Sequence, residues 1–209
     1  MLGAAADLVT IMAYEYRGPF RGPGSVAPYP WVQRVARFAT SQIPPTKVLL
    51  GLAFYGYDWN TSSGVARSIG YPQFAALADH YGAEVGFDAE QQSLSFVYEG
   101  LSGEPLPPAA AQPLATGPVL PLAAHAITSR QPPPCDVVPP PPPPPAPRPP
   151  ALPAGVPQSH EVWLEDSTSA AARLGLADAF HIHGVATWRL GLEDPAVWPL
   201  FDQWRPGGQ

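Results

Sequence analysis

The chain has 209 residues, of which 45% are apolar, and a formal net charge of −6. This length is sufficient for one or two domains with a buried core. The negative charge and the lack of a basic patch argue against a nucleic-acid partner. No apolar run reaches the length of about 20 residues that a membrane-spanning helix needs, so we expect no membrane partner either.

The first part of the chain predicts a strand, a helix and a second strand. The near-continuous apolar run from Leu8 to Ala13 is typical of a strand that is covered on both faces. A helix is expected to begin near Pro30 and to end before Pro44. The next apolar run, KVLLGLAFYGYDW, begins at Lys47 and predicts a second buried strand. This order is the βα pattern of a parallel sheet.

The middle of the chain predicts a small α+β unit. Pro72 opens a helix with one apolar stripe, and Gly82 is well placed to end it. Short strands are expected around AEVGF and LSFVYE, and a third around HEVWLE.

The last part of the chain returns to the α/β pattern. Asp166 or Ser167 is expected to cap a helix that runs to about Ala179. A third core strand is predicted from Gly184 to Trp188, and a final helix follows it. The predicted segments are residues 1–62 and 167–209 for the α/β framework, 63–102 and 160–166 for the inserted α+β domain, and 103–159 for a proline-rich loop.

The predicted loop is of low complexity. It holds 21 of the 31 prolines, including seven in a row from Pro139 to Pro145, and the single cysteine, Cys135, which has no partner for an intrachain disulfide. Such a proline run favours polyproline II. Two interpretations stay open, a ligand for a PxxP-binding groove and a stiff or disordered loop between two strands.

All three predicted core strands end in polar and aromatic residues, in the segments MAYE, FYGYDW and ATWRLG. In a β/α barrel the carboxyl ends of the strands build the active site. Aromatic rings stack on the C–H face of a sugar, and carboxylates accept hydrogen bonds from its hydroxyls. The strand ends therefore predict a pocket for a sugar.

Five segments, taken in order, carry a family resemblance: VTIMAYEYRG, GSVAPYPWVQRVARFATSQIPPTKVLLGLAFYGYDW, ARSI, HEVWLED and GVATWRLGLEDPAVW. They resemble glycoside hydrolase family 18. The similarity is greatest to the bacterial spore-germination, cortex-lytic branch, whose members cleave N-acetylglucosamine linkages in peptidoglycan and resemble chitinases. It extends from about Asp7 to Trp198, outside the proline-rich loop.

The resemblance implies an α/β fold, part of a (β/α)8 TIM barrel. The matched segments look like its sixth to eighth strands, with a small α+β domain inserted after the seventh. The family uses substrate-assisted retaining hydrolysis, without a cofactor. A glutamic acid in a DxxDxDxE motif protonates the leaving oxygen, and the N-acetyl carbonyl of the sugar attacks the anomeric carbon.

The resemblance also implies roles for individual residues. Tyr14 matches the tyrosine whose hydroxyl holds the acetamide of the substrate. Glu15 stands where many relatives have aspartate, and Trp188 matches the tryptophan at the floor of the cleaved subsite. The other candidate substrate-binding residues are Met12 and Tyr55, as lining of the pocket, and Arg67 and Asp166, from the side of the inserted domain.

Some of these residues have structural alternatives. Trp188 could belong to the core, and Tyr14 could be a buried phenol bonded to the backbone. Asp58 and Trp59 are expected to close a turn. The histidines share no pattern with carboxylates that would indicate a metal site, so we expect none.

The DxxDxDxE motif does not occur in these 209 residues. General acid catalysis contributes about 10²–10⁴-fold in rate, so we expect the chain alone not to hydrolyse glycans. It is then either part of a longer enzyme whose N-terminal barrel portion is missing, or a short protein that binds sugar without cleaving it. A wall-associated protein and a proline-rich interaction protein are further alternatives. The compartment stays open, although the resemblance implies the cell envelope, the spore or the exterior for the parent enzyme.

Overall fold

The computed structural model describes residues 2–111 and 153–204. Most of the predicted proline-rich loop, with Cys135, lies outside the described residues. The helices are α1 (Leu2–Ala5), α2 (Tyr29–Gln42), α3 (Tyr71–Tyr81), α4 (Pro108–Ala111), α5 (Ser167–Ala179) and α6 (Val197–Gln203). The strands are β1 (Val9–Ile11), β2 (Val48–Ala53), β3 (Gly56–Asn60), β4 (Val65–Ile69), β5 (Gly86–Asp88), β6 (Ser93–Leu101), β7 (Pro157–Leu164) and β8 (Gly184–Trp188).

The three predicted core strands form one parallel sheet in the order β1-β2-β8. Leu50 in the central strand is paired with Ile11 on one side and Val185 on the other. Helices α2 and α5 pack against β2, and Val32 and Leu174 from these helices join Leu50 in the main core. The α/β prediction is confirmed for this part of the chain, and β8 has the predicted bounds.

The other five strands form an antiparallel sheet in the order β4-β3-β7-β6-β5. Helix α3 covers one face of it, where Phe74 and Leu77 pack in a second core with Phe96 and Val162. The chain leaves this sheet after β6 and returns in the neighbouring strand β7. Both interpretations of the proline-rich segment stay open, because residues 112–152 lie outside the described part of the chain.

The helix boundaries follow from the local chemistry that the sequence predicts. At the start of α3 the side chain of Gln73 accepts a hydrogen bond from the amide of Gly70 at 3.1 Å. Gly82 ends this helix with a φ of 57°, a left-handed conformation in which glycine has no steric penalty. Asp166 caps α5 by accepting a hydrogen bond from the amide of Ser169 at 2.9 Å.

The second predicted strand is divided between the two sheets. β2 ends at Ala53, and β3 begins at Gly56 in the antiparallel sheet, whereas the sequence suggested a change of domain after residue 62. A Cβ on Gly56 would lie 1.8 Å from the carbonyl oxygen of Trp163, so only glycine allows β7 this close. The prediction that Asp58 and Trp59 close a turn is wrong, because both lie inside β3.

No helix within residues 2–111 and 153–204 is long and apolar enough to cross a bilayer. In the same part of the chain, no three His, Cys, Asp or Glu side chains are grouped so that they could hold a metal ion.

Candidate functional site

The carboxyl ends of β1, β2 and β8 lie at one edge of the parallel sheet, because the three strands run in the same direction. Met12 directly follows β1, Tyr55 comes two residues after β2, and Trp188 ends β8. Trp188 is paired with Ala53, and its carbonyl accepts a hydrogen bond from the amide of Phe54 at 2.8 Å. The three predicted strand ends are therefore neighbours in space.

Glu15 is the centre of a group of side chains at this edge, which we call the phenol–carboxylate cluster (Tyr14, Glu15, Tyr55 and Tyr57). The hydroxyls of Tyr55 and Tyr57 both donate hydrogen bonds to Oε1 of Glu15, from Tyr57 at 3.0 Å. Glu15 has a φ of 65°, which is uncommon for a residue other than glycine. The two phenols thus hold a carboxylate that lies on an unusual backbone conformation.

Tyr14 packs against this cluster through its ring. Its centroid lies 6.3 Å from that of Tyr55, in an edge-to-face arrangement. A Cβ on Gly51 would lie 3.0 Å from the Tyr14 ring, so a larger residue in β2 would displace it. The hydroxyl of Tyr14 donates no hydrogen bond to another described residue. Within that part of the chain, the backbone-bonded alternative for Tyr14 is therefore not found.

All three phenols of the cluster are held in the protonated form. Burial raises the pKa of Tyr55 and of Tyr57, and the hydrogen bonds to Glu15 raise both pKa values further. Partial burial, followed by the charge of Glu15, also raises the pKa of Tyr14. The three phenols are therefore hydrogen-bond donors at any physiological pH, and the Glu15 carboxylate accepts from Tyr55 and Tyr57.

Two apolar side chains at the same edge are open to solvent. Met12 is 70% exposed and Trp188 is 56% exposed. The alternative in which Trp188 belongs to the core is therefore wrong. Trp188 makes no ring contact with Tyr14 or Tyr55 among the aromatic residues that the structure describes. The exposed indole of Trp188 is available for a ligand at this edge of the sheet.

Arg67 does not join this cluster. It lies in β4, where it donates to Oδ2 of Asp58 at 3.0 Å and to the carbonyl of Ala110 at 2.9 Å. Asp58 is buried and also accepts from the hydroxyl of Tyr98 at 3.0 Å, and it lies 2.7 Å from Nδ1 of His160. These contacts give Arg67 a structural role under α3, on the opposite face of the antiparallel sheet from Tyr57.

Asp166 does not join the cluster either. Its carboxylate is buried and accepts hydrogen bonds from both the amide and the hydroxyl of Ser169, each at 2.9 Å. These are the contacts of a helix cap. The sequence suggested both a cap and a sugar contact for this residue, and the hydrogen bonds in the structure are those of the cap.

A buried ion pair links the residue after β7 to helix α5 near the site. Oε2 of Glu165 lies 2.7 Å from Nη2 of Arg173, and Oε1 accepts hydrogen bonds from the hydroxyls of Ser25 and Ser93 at 2.6 and 2.9 Å. Burial raises the pKa of Glu165, while Arg173 and the two serines oppose that rise. This pair fixes the loop around Ser25, which follows the phenol–carboxylate cluster in the chain.

A cleft of about 380 Å³ lies beside the cluster. Its lining includes Tyr16, Arg17, Trp31, Asp88 and Trp163. None of the residues that sequence reasoning selected lines this cleft. The sequence gives no short-range signal for it, because its walls come from distant parts of the chain.

Sequence reasoning also missed Tyr57. A signal for it existed, since Tyr55, Tyr57 and Trp59 alternate along the chain as the residues on one face of a strand do. Their rings follow one another at centroid distances of 5.9 and 5.2 Å. The segment was predicted as a strand, but this alternation along it was not used to place Tyr57 beside Tyr55.

Comparison with known proteins relates the chain to enzymes that act on glycans. No protein-family model matches it. It is 24% identical over 202 residues to a cortical fragment-lytic enzyme of Bacillus subtilis, which covers 95% of this chain and 34% of that protein. A chitinase from Chromobacterium violaceum superposes with a TM-score of 0.64 at 26% identity, covering 97% of this chain and 46% of the other. The Bacillus cereus spore cortex-lytic enzyme SleL superposes with a TM-score of 0.68 at 22% identity, covering 100% and 37%.

These similarities confirm the resemblance that the sequence motifs predicted. The chain spans about a third of the length of the curated cortical fragment-lytic enzymes that it matches. It also spans less than half of the chitinase and of SleL. The similarity therefore concerns one part of those proteins, and their activities belong to the longer chains.

Proposed function

We propose, from this kinship with the cortex-lytic enzymes and chitinases of glycoside hydrolase family 18, that the chain forms part of the cleft of an enzyme that hydrolyses N-acetylglucosamine-containing glycans. In this proposal the sheet β1-β2-β8 corresponds to the sixth to eighth strands of a (β/α)8 barrel, and the chain is the C-terminal part of that enzyme. The antiparallel sheet is the domain inserted after the seventh strand.

The observation that carries the proposal is the phenol–carboxylate cluster at the carboxyl edge of the parallel sheet. Tyr14 and Glu15 follow β1 whereas Tyr55 follows β2, and the structure brings the two strand ends into contact. In β/α barrels the catalytic and binding residues lie at this edge. A carboxylate, phenol hydroxyls and an exposed tryptophan at one edge suit a sugar, which needs hydrogen-bond partners and an aromatic surface.

The chemistry assigned to each residue follows from its surroundings. Tyr14 has a protonated hydroxyl without a described partner, so it is free to donate to the acetamide carbonyl of a bound N-acetylglucosamine. That carbonyl attacks the anomeric carbon in substrate-assisted hydrolysis. Glu15, held by two phenols, accepts a hydrogen bond from a sugar hydroxyl, and Trp188 and Met12 supply an apolar surface.

The edges of the parallel sheet support the assignment to a larger barrel. Among the described strands, β1 and β8 each pair with β2 alone. Thr10 and Met12, on the face of β1 away from the main core, are exposed. Barrel closure requires a full set of strands with matched tilt and shear, so further strands are needed on both sides.

We further propose that the chain by itself binds glycan and does not hydrolyse it. The family uses the glutamic acid of DxxDxDxE as proton donor, and this motif is absent from the 209 residues. The phenols of the cluster have raised pKa values, and its one carboxylate accepts their hydrogen bonds. Neither group replaces the glutamic acid that donates a proton to the leaving oxygen. Without a proton donor the leaving sugar departs as an alkoxide, at a cost of about 10²–10⁴ in rate.

The absence of the DxxDxDxE motif from the 209 residues also favours a second candidate, a carbohydrate-binding or cell-wall-associated protein without catalytic activity. A chitinase-like agglutinin from Robinia pseudoacacia has a similar fold, with a TM-score of 0.52 at 14% identity. The fold thus also occurs in a protein that is named for agglutination. Both candidates require the same sugar site, and they differ in whether a further chain completes the barrel.

Binding of an N-acetylglucosamine trisaccharide to the 209-residue chain tests the proposal. Isothermal titration should give measurable binding, and Trp188→Ala should weaken it by about tenfold, which corresponds to about 1.4 kcal/mol. Phe38→Ala is the matched control, because Phe38 is 69% exposed and lies in α2, outside the segments that follow the strand ends. No binding by the wild-type chain, or equal losses in the two variants, would overturn the proposed site.

Release of reducing sugar ends from peptidoglycan or from the trisaccharide is the second measurement. We expect none from the purified chain. Turnover above the uncatalysed rate would show that the chain carries its own proton donor and would refute the non-hydrolytic part of the proposal.

A further inference from the structure

A small cavity is lined by residues of α5 and by residues at the carboxyl ends of β1 and β2. It leaves about 10 Å³ for the centre of a water molecule, which is room for one water and too little for a sugar. Three of its lining residues are polar, namely Glu165, Ser169 and Arg173. Polar groups in the lining are what distinguishes a hydrated cavity from an apolar one that stays dry.

The carboxylate of Glu165 has hydrogen-bond partners at only one of its two oxygens. Oε1 accepts hydrogen bonds from the hydroxyls of Ser25 and Ser93 and, at 3.3 Å, from the amide of Ala27. Oε2 is buried and has no hydrogen-bond partner among the residues that the structure describes. Buried polar atoms in proteins are nearly always hydrogen-bonded, either to the protein or to ordered water. A donor in the cavity would complete this carboxylate.

Arg173 lies against Oε2 of Glu165 without donating to it. Nη2 of Arg173 is 2.7 Å from Oε2, but its two N–H groups donate to backbone carbonyls. Both N–H groups of Nη1 also donate to carbonyls, at 2.8 and 3.0 Å. The four acceptors are the carbonyls of Ala27, Gln91, Gln92 and Ser169. The arginine therefore supplies a neutralising charge, and its terminal N–H groups are used elsewhere.

The end of β2 brings a backbone amide to the same cavity. β1 ends at Ile11, opposite Leu50, so no β1 residue is paired in register with Ala53, which lines the cavity. The amide of Phe54 donates to the carbonyl of Trp188 in β8 at 2.8 Å. Because successive amides of a strand point to opposite neighbours, the amide of Ala53 points to the side of β1. A donor therefore faces the place where β1 has ended.

The charges beside the cavity argue against an ion as its occupant. Arg173 repels a cation and Glu165 repels an anion, and their charged atoms are 2.7 Å apart. Within residues 2–111 and 153–204, no three His, Cys, Asp or Glu side chains are grouped so that they could hold a metal. Water is neutral and both donates and accepts, so one molecule can serve a carboxylate oxygen and an amide together.

We propose that this cavity binds one water molecule, which donates a hydrogen bond to Oε2 of Glu165 and accepts one from the amide of Ala53. The water links the residue after β7 to the end of β2, two residues before Tyr55. Ala13, which also lines the cavity, directly precedes Tyr14. The bound water is thus part of the support beneath the phenol–carboxylate cluster, and its presence does not depend on glycan binding.

Two measurements on the 209-residue chain test the inference. In a crystal structure we expect a single density peak about 2.7–3.2 Å from both Oε2 of Glu165 and the amide nitrogen of Ala53. In solution, nuclear magnetic resonance should show cross-relaxation between water and the amide proton of Ala53. The amide of Leu50, in the part of β2 that is paired with both neighbouring strands, is the internal control and should show none.

A variant that fills the cavity assigns the signal to it. Ala170→Val adds two methyl groups at a buried lining position of α5, so the cross-relaxation at Ala53 should disappear. Ala171→Val is the matched control, because Ala171 is an exposed residue of the same helix that does not line the cavity. It places the same β-branched side chain in α5 and should keep the signal. Circular dichroism checks that both variants are folded.

Each outcome decides for or against the bound water. A density peak at both atoms, with a signal that Ala170→Val loses and Ala171→Val keeps, supports the inference. A wild-type chain with neither the peak nor the signal overturns it, as does a peak with the short oxygen contacts of a metal ion. A signal that persists in folded Ala170→Val also overturns it, because the water would then lie elsewhere. If Ala170→Val does not fold, the wild-type crystal structure decides alone.

Discussion

Replacement of Arg173 by methionine is expected to destabilise the chain strongly, because Arg173 neutralises a carboxylate in the interior. Its side chain is 4% exposed and that of Glu165 is 3% exposed, with 2.7 Å between the charged atoms. Arg173 also donates to the carbonyls of Gln92, at 2.8 Å, and Ser169, at 3.0 Å. Methionine has a similar length but donates no hydrogen bond, so it leaves both the charge and the carbonyls without these partners.

The expected loss is about 3–5 kcal/mol, which is typical when one partner of a buried ion pair is removed. A folded chain of this size is stable by roughly 5–15 kcal/mol, so the loss is a large part of the total. At about 2–4 °C per kcal/mol for a domain of 150–250 residues, the melting temperature should fall by about 6–20 °C. Arg37→Met, at an exposed position of α2, should leave it within about 2 °C.

Thermal unfolding of three variants at two pH values measures the effect. Without Arg173, burial raises the pKa of Glu165 further. In Arg173→Met, Glu165 therefore loses its proton at a lower pH in the unfolded chain than in the folded chain. The free energy of unfolding of this variant then falls as the pH rises above about 4.5. The deficit of Arg173→Met should therefore be smaller at pH 5 than at pH 8, and the double variant Glu165→Gln/Arg173→Met should recover much of it. A melting temperature for Arg173→Met within 2 °C of the wild type at pH 8 would refute the reasoning.

Three further predictions concern the cluster and the junction of the two sheets. Gly18→Ala should weaken trisaccharide binding in a titration without lowering the melting temperature, since the new Cβ would lie 2.6 Å from Oε2 of Glu15 and displace that carboxylate. Gly56→Ala should abolish cooperative unfolding, because its Cβ would lie 1.8 Å from a carbonyl of β7; Gly175→Ala, which meets no atom within 4 Å in α5, is the control and should leave unfolding cooperative. Burial raises the pKa of Tyr57, so above pH 10 the unfolded chain alone loses this proton and stability falls by about 1.4 kcal/mol per pH unit. In Tyr57→Phe, the free energy of unfolding measured with urea should therefore fall less steeply between pH 10 and 11.5, by about 1.4 kcal/mol per pH unit. The same slope in the variant and the wild type would contradict the assignment.

The parallel sheet was predictable because its signals are local. The apolar run that contains β1, the run after Lys47 and the segment Gly184–Trp188 each read as a buried strand. Parallel strands place their carboxyl ends together, so the pattern predicted that the segments MAYE and FYGYDW meet at one edge of the sheet. The hydrogen bond between Glu15 and Tyr55 was not predicted. The caps of the helices, such as Gly82, were equally visible because they act within one turn.

The features that sequence reasoning missed depend on residues far apart in the chain. Ser25 and Glu165 are separated by 140 residues, and neither lies in a pattern that indicates a hydrogen bond between them. The change of sheet before Gly56 was missed because Phe54 and Tyr55 continue the apolar run of β2 without a turn signal. Only the approach of β7 explains why a glycine is required at that point.

The candidate site depends on the junction between the two sheets more than on either sheet alone. Glu15 follows the parallel sheet, whereas Tyr57, one of the two phenols that hold it, lies in β3 of the antiparallel sheet. Glu165 follows β7 of that sheet and binds Ser25, in the loop that lines the cleft. A shift of the antiparallel sheet would therefore move the carboxylate and a wall of the cleft together. For this reason substitutions at the buried pair, far from any sugar contact, should alter glycan binding as well as stability.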